Sequence, residues 1–288
     1  MARQQYYSNY SSYGRRKRVK PRTYITFTLV AFLLVVGSFV FNIFNQVNSL
    51  SVATVEPTSL NFEPIPTVDS WHNKEVKFVY LTFDDGPSKN ADKILDILDS
   101  HDIKGTFFVL GSAIENNSGA KDVLKRMAQT GHYIGMHSMT HNYAHLYSDE
   151  NAAQNFVNEI LEEQALIKEI TGGYVSELCR APYGTGGGTF TDAHVEELKK
   201  AGIKCWDWDV DSLDWESNAT VDSIMKNIEY CMNLWNYPTH TVVLFHEKNI
   251  TVEVLPKVIQ YYQDLGYEFL PYNPDSHIVK NLFGSDDI

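Results

Sequence analysis

The chain has 288 residues, long enough for one large domain or two small ones, and its 13% aromatic content is ample for a substantial core. Its formal net charge of −12 is unevenly placed: residues 1–48 hold seven basic side chains (Arg3, Arg15, Arg16, Lys17, Arg18, Lys20, Arg22) and no acidic one, which leaves 17 of the 24 basic residues against all 36 acidic ones, a balance of −19 for the remainder. Three cysteines (Cys179, Cys205, Cys231) are too few, and odd in number, for a disulfide framework; they read as buried thiols, with a Cys179–Cys205 bridge left open.

Gln4 to Tyr13 is rich in Tyr, Ser and Asn without apolar periodicity and reads as disordered. From Ile25 to Phe44 the sequence carries no charge and is dense in Leu, Val, Phe and Ile, about the twenty residues a helix needs to cross a bilayer. The basic cluster ahead of it places the N-terminus in the cytoplasm and everything after about residue 47 outside. Beside a span such a cluster is a topology signal, so no nucleic-acid partner is expected. The apolar run exceeds the core of a cleavable signal peptide, so an uncleaved single-pass anchor in the cell membrane is expected. The expected organisation is a basic tail over 1–23, a transmembrane signal-anchor helix over 24–46, a linker over 47–70 with Pro57, Pro64 and Pro66, and a catalytic domain over 71–288.

Within that domain β-prone apolar runs alternate with helical patterns. Strands are predicted at 76–83, 105–110, 133–136, 174–178, 203–208, 241–245 and 267–270, and helices at 90–100, 120–130, 151–170, 192–201, 221–234 and 252–265. Seven strand repeats separated by helices predict an α/β fold of about seven parallel strands, a closed or nearly closed barrel rather than an open doubly wound sheet.

Polar residues suited to hydrolysis fall where these strands stop, the place a parallel barrel keeps its active site. Asp84 and Asp85 follow a strand and precede Gly86-Pro87; adjacent carboxylates in an extended chain face opposite ways, which suits one to bind a metal and the other to take a proton from water. His137 and His141 are spaced i, i+4, which brings two imidazoles to one face if at least the second lies on a helix, and neutral imidazoles so placed are ligands for zinc and similar ions. His132 lies in a β-prone run and reads as a hydrogen-bonded core histidine. Arg180 can hold a carboxylate through its planar fork, and Pro182-Tyr183-Gly184 makes a tight turn whose backbone N–H groups can face an oxyanion. Asp207, Asp209, Asp211 and Asp214 alternate with Trp206, Trp208 and Trp215, a pattern that a glycosidase would also use. His246 ends a strand, where an imidazole can protonate a leaving group.

Taken in this order, Thr82-Phe83-Asp84-Asp85-Gly86-Pro87, His137-Ser138-Met139-Thr140-His141, Arg180-Ala181-Pro182-Tyr183-Gly184, Asp211-Ser212-Leu213-Asp214-Trp215 and Leu244-Phe245-His246-Glu247 resemble the motifs of the polysaccharide deacetylase family, carbohydrate esterase family 4, also called the NodB-homology domain. The likeness runs from about Val76 to Phe269. It implies a distorted (β/α) barrel and one divalent metal, zinc foremost with cobalt, manganese or nickel as alternatives, on Asp85, His137 and His141. It further implies Asp84 as general base, Arg180 as the residue orienting it, the Tyr183 N–H as oxyanion donor, and His246 as general acid positioned by Asp214. Pro182, Tyr183, Trp215 and Leu244 are expected to bind substrate. The expected substrate is an acetylated glycan, foremost the N-acetylglucosamine of peptidoglycan. Chitooligosaccharide, poly-N-acetylglucosamine and acetylxylan are the alternatives, and a catalytically silent wall-binding module is a third reading. A monomer is expected. Ala181 replaces a frequent proline, and Glu247 stands where Asp is more usual.

Overall fold

The computed structural model describes residues 76–288. The expected tail, span and linker lie outside them, and no described helix is long and apolar enough to cross a membrane. Eight parallel strands form one curled sheet: β1 (Lys77–Gly86), β2 (Thr106–Val109), β3 (Tyr133–Met136), β4 (Leu178–Cys179), β5 (Lys204–Cys205), β6 (Val210–Asp211), β7 (His240–His246) and β8 (Tyr267–Phe269). The order is β5-β4-β3-β2-β1-β7-β6, and β8 pairs with the start of β1. Among the described residues seven α-helices accompany the strands: α1 (Ala91–Ser100), α2 (Gly111–Asn116), α3 (Ala120–Thr130), α4 (Ala152–Thr171), α5 (Asp192–Ala201), α6 (Val221–Leu234) and α7 (Asn249–Asp264).

The strands are buried on both faces, which is why β1 reads as an unbroken apolar run from Phe78 to Phe83 apart from Thr82. Alternate residues serve two cores. Val79, Leu81 and Phe83 pack under the helices, whereas Phe78 and Tyr80 join Phe108, Tyr133, Leu178, Trp206, Val242 and Tyr272 in a second cluster, the packed interior expected of a barrel too narrow to be a pore. Gly135 is required there, because a Cβ on it would lie 2.6 Å from the Phe108 ring. His132 is buried with Nδ1 accepting the Gly105 N–H at 3.0 Å, and burial pushes its pKa down to about 4, as suits a neutral core histidine.

The barrel is distorted where it closes. The two edge strands, β5 and β6, are joined by only four residues, Trp206 to Asp209. The Trp206 N–H bonds to Cys179 O and the Asp209 N–H to Val242 O, so this short segment carries the chain from the β4 edge across to the β7 edge. The strand predicted over 203–208 is therefore reduced to β5 at 204–205, with β6 following outside that range at 210–211, and the strand predicted over 174–178 is displaced to 178–179. The run Tyr174 to Ser176 lacks ladder partners because β3 meets β4 only at Met136 and Cys179. α2 and a five-residue π-helical turn over Ala144–Ser148 were not anticipated. Cys179 and Cys205 are register partners on neighbouring strands, buried and reduced, while Cys231 is only half-buried.

Candidate active site

The C-terminal ends of β1, β3, β4, β6 and β7 open on one cavity of about 430 Å³, lined by Asp84, Asp85, His137, His141, Ala181, Tyr183, Trp208, Asp211, Trp215, Leu244 and His246. Register brings the first groups together: Asp84 and His246 are partners across β1 and β7. At Asp85 the backbone turns to φ +67°, and the register with β2 shifts between Asp84 and Gly86. This kink lets two adjacent carboxylates serve one cavity. Asp84 stays inside, 2% exposed, while the Asp85 side chain is 44% exposed and swings towards the histidines.

Asp85 Oδ1 lies 3.6 Å from His137 Nε2 and 3.8 Å from His141 Nε2. Among the described residues these three are the group able to hold a metal ion, with one ligand atom from each lying within 4.8 Å of the others. Ligands at about 2.0–2.2 Å around a tetrahedral ion stand roughly 3.3 Å apart, so small side-chain adjustments suffice. The donor chemistry also fits. His137 Nδ1 lies 2.8 Å from the Arg180 carbonyl, which assigns the proton to Nδ1 and leaves the Nε2 lone pair facing Asp85. Burial, and then the neighbouring His137, lower the pKa of His141 and favour the neutral, ligating form. The two histidines do not share a helix. Residues 137–142 are loop, and positive φ at Ser138 (+79°) and His141 (+54°) aims both rings inward.

Arg180 is fully buried. Its Nη1 donates to Asp84 Oδ1 at 2.8 Å and to Thr82 Oγ1 at 2.7 Å, its Nε to Trp206 O at 3.1 Å, and its Nη2 to Asp207 O at 3.0 Å. Its guanidinium rests 4.2 Å from the centroid of Phe108, on top of the interior aromatic cluster. Asp84 Oδ2 is left on the cavity side, 3.8 Å from His137 Nε2.

On the opposite wall Asp214, 1% exposed, accepts three hydrogen bonds: Oδ2 from the His246 N–H at 2.7 Å and from the Thr251 hydroxyl at 2.5 Å, and Oδ1 from His246 Nδ1 at 2.8 Å. His246 Nε2 therefore faces the cavity, 4.0 Å from Asp85 Oδ2. Burial works against the charged imidazolium, but the hydrogen bond to Asp214 and the nearby Asp84 outweigh it, so the pKa of His246 is raised.

Tyr183 and Trp215 stand half-exposed on the rim, and Leu244 is buried beneath. Pro182 lies behind Tyr183, its carbonyl accepting from the Tyr147 hydroxyl at 2.8 Å. Trp208 and Asp211 also line the cavity, and the sequence reading gave them no place in it. It missed Glu163 too, which accepts the His137 N–H at 2.9 Å, and Glu159, which accepts the Thr140 N–H at 2.9 Å. Glu159 and Glu163 fall on the buried face of α4 beside Phe156, Ile160 and Ile167, and acidic residues on an apolar stripe are the signal that would have found them.

Comparison with known proteins agrees with this geometry. A family described as polysaccharide deacetylase matches residues 72–206. A peptidoglycan-N-acetylglucosamine deacetylase of Bacillus cereus is 35% identical over 240 residues, covering 83% of this chain and 84% of that protein. The chain belongs to the polysaccharide deacetylase family. A crystal structure of the polysaccharide deacetylase Bc1974 from Bacillus cereus matches with TM-score 0.66 and 36% identity, covering 74% of this chain and all of that one. The catalytic domain of a peptidoglycan N-acetylglucosamine deacetylase from Eubacterium rectale matches with TM-score 0.62 and 28% identity, covering 71% of this chain and 92% of that one. Membership makes this polysaccharide deacetylase a hydrolase, and its curled parallel sheet with flanking helices is the fold of those structures.

Proposed function

We propose that this polysaccharide deacetylase hydrolyses the N-acetyl groups of peptidoglycan glucosamine, releasing acetate, with a divalent metal on Asp85, His137 and His141. One observation carries the reading. A single cavity holds the two-histidine, one-aspartate set together with a carboxylate pinned by a buried arginine and an imidazole pinned by a buried carboxylate. The choice of polymer is supported by the name of the Bacillus cereus relative.

A divalent ion held there would supply Lewis acidity, polarising the amide carbonyl and lowering the pKa of a nearby water. The protein residues do the rest. Asp84, with Oδ1 bound by Arg180, uses Oδ2 to take the proton of the attacking water as its oxygen bonds to the amide carbon. The Tyr183 N–H, which no described residue accepts, bonds to the carbonyl oxygen as it gains charge. His246 gives the Nε2 proton to the departing nitrogen as the C–N bond breaks, and Asp214 steadies the charged ring before that transfer. Trp215 and Tyr183 offer flat apolar faces to the sugar, and Leu244 a small apolar floor for the acetyl methyl.

We place the enzyme in the cell membrane by a signal anchor over 24–46, with residues beyond about 47 outside. The supports are the uncharged run 25–44 and the basic cluster before it. Acetate release by the purified full-length protein from peptidoglycan, chitooligosaccharide and acetylxylan tests substrate and chemistry together. Peptidoglycan should be the preferred source, exhaustive chelation should abolish release, and Asp84→Asn should keep the metal while losing about 10²–10⁴-fold in rate. Turnover of chitooligosaccharide with none on peptidoglycan would overturn the polymer, and full activity after chelation would overturn the metal.

A further inference from the structure

The proposed reaction needs one backbone N–H, that of Tyr183, aimed at the oxygen that gains charge. Its direction is a choice the chain must make. Residues 181–184 form a turn closed by the Gly184 N–H bonding to Ala181 O at 2.8 Å, with Pro182 and Tyr183 at the two central positions. Tyr183 has φ +67°, and with proline before it this is a type II turn. Types I and II differ by a flip of the central peptide, here the one joining Pro182 to Tyr183. For a bulky residue at the third position type I is the default, because positive φ brings its Cβ against the carbonyl. Glycine is the residue expected there, and this chain has tyrosine. Some other contact must hold the peptide over.

That contact is Tyr147. The π-helical turn Ala144–Ser148 comes just after His141 and aims the Tyr147 hydroxyl at the Pro182 carbonyl, 2.8 Å away. The Pro182–Tyr183 bond is trans, since among the described residues only Gly86–Pro87 is cis, so its C=O and N–H point in opposite directions. Anchoring the carbonyl on Tyr147 therefore directs the N–H to the other side, where Tyr183 lines the cavity. The Tyr147 ring is itself fixed by Phe156 at 6.3 Å, His194 at 5.7 Å and Tyr143 at 5.5 Å between centroids. A hydrogen bond donated to the carbonyl also polarises the amide and strengthens its N–H as a donor.

We propose that Tyr147 is a positioning residue that holds the Pro182–Tyr183 peptide in the flipped, type II orientation and so aims the oxyanion-donating N–H. This rests on the deacetylase reading above. Tyr147→Phe removes the hydroxyl and keeps the ring. The expected result on the full-length enzyme with peptidoglycan is a fall in kcat of about 5-fold or more, bounded by the 10²–10³-fold of losing an oxyanion donor outright, with KM and metal content unchanged. In a Tyr183→Gly background, where glycine accepts positive φ unaided, the same Tyr147→Phe change should cost less than about 2-fold. A merely structural role for Tyr147 would cost the same in both backgrounds. That equality, or a kcat change below about 2-fold in the Tyr147→Phe single variant, would overturn the proposal. The amide nitrogen shift of Tyr183 gives a readout that needs no turnover: it should move in Tyr147→Phe, and an unmoved shift would equally overturn the proposal. Wild-type acetate release in the same assay reports on the deacetylase reading by itself.

Discussion

Two adjacent aspartates divide their work by backbone geometry rather than by chemistry. Asp84 continues the strand and finds Arg180, and Asp85 leaves it at positive φ and finds the histidines. That two carboxylates at a strand end would have different tasks was legible in the sequence; that a kink would return both to one cavity was not, since nothing in Asp-Asp-Gly-Pro states the φ of its second residue. The histidine pair is similar, because the spacing was visible whereas the loop that aims it was not. His246 gives a test at this scale. In its proposed role as proton donor it must be charged, and Asp214 raises its pKa, so activity should persist above pH 6.5, the ordinary histidine value, and fall as pH rises through the raised one. The same pair adds stability that is fully present below about pH 6.5 and lost over that rise. Asp214→Asn should move the alkaline limb of the kcat profile to lower pH. A limb that stays in place would mean that another group supplies the proton.

At the scale of elements, the long helices and the strands β1, β2, β3, β7 and β8 follow from periodicity and β-branched or aromatic runs, and their predicted bounds fall within a few residues of those found. β4, β5 and β6 have two residues each, and no hydrophobic period can mark so short a strand. Their positions come from tertiary partners, chiefly the Cys179 and Val242 carbonyls and the Arg180 fork. Helix α4 shows the reverse case, an element whose place was legible and whose use was not. Glu163 is wholly buried and its Oε2 accepts the N–H of His137 at 2.9 Å, which ties the loop that starts at His137 to the helix. Burial pushes its pKa well above its ordinary value, and Glu163→Gln, which keeps an acceptor oxygen for the His137 N–H, should cost less stability than removing the side chain. Glu163→Ala instead removes the acceptor that the His137 N–H shares with Val109 O and leaves a buried space, and should cost about 1–3 kcal/mol in urea unfolding, with weaker metal binding in a competitive titration. Equal effects of the two substitutions would show that the carboxyl oxygens are not what holds the loop.

The whole molecule turns on one seam. A barrel was expected from the count of strand and helix repeats, and the curled sheet agrees with it, but a sheet whose edge strands have two residues each cannot close by ladder bonds alone. Arg180 supplies what is lacking. From the end of β4 its Nε and Nη2 bind the carbonyls of Trp206 and Asp207 in the closing segment, and its Nη1 binds Thr82 and Asp84 on β1, so one side chain spans the opening and the proposed base together. Stability and activity are thereby linked at a single residue. Lysine keeps the charge but has no planar fork, and its ammonium cannot meet partners on both sides at once. Arg180→Lys should therefore leave the two carbonyls of the seam without donors and lower the unfolding free energy by about 2–5 kcal/mol, read as a lower urea midpoint at unchanged slope, besides slowing deacetylation. Asp84→Asn leaves those seam bonds intact and should lose activity with a smaller change in midpoint. If Arg180→Lys slowed the reaction while unfolding at the wild-type midpoint, the fork would serve the base alone, and the barrel would have to close through the backbone bonds of Trp206 and Asp209.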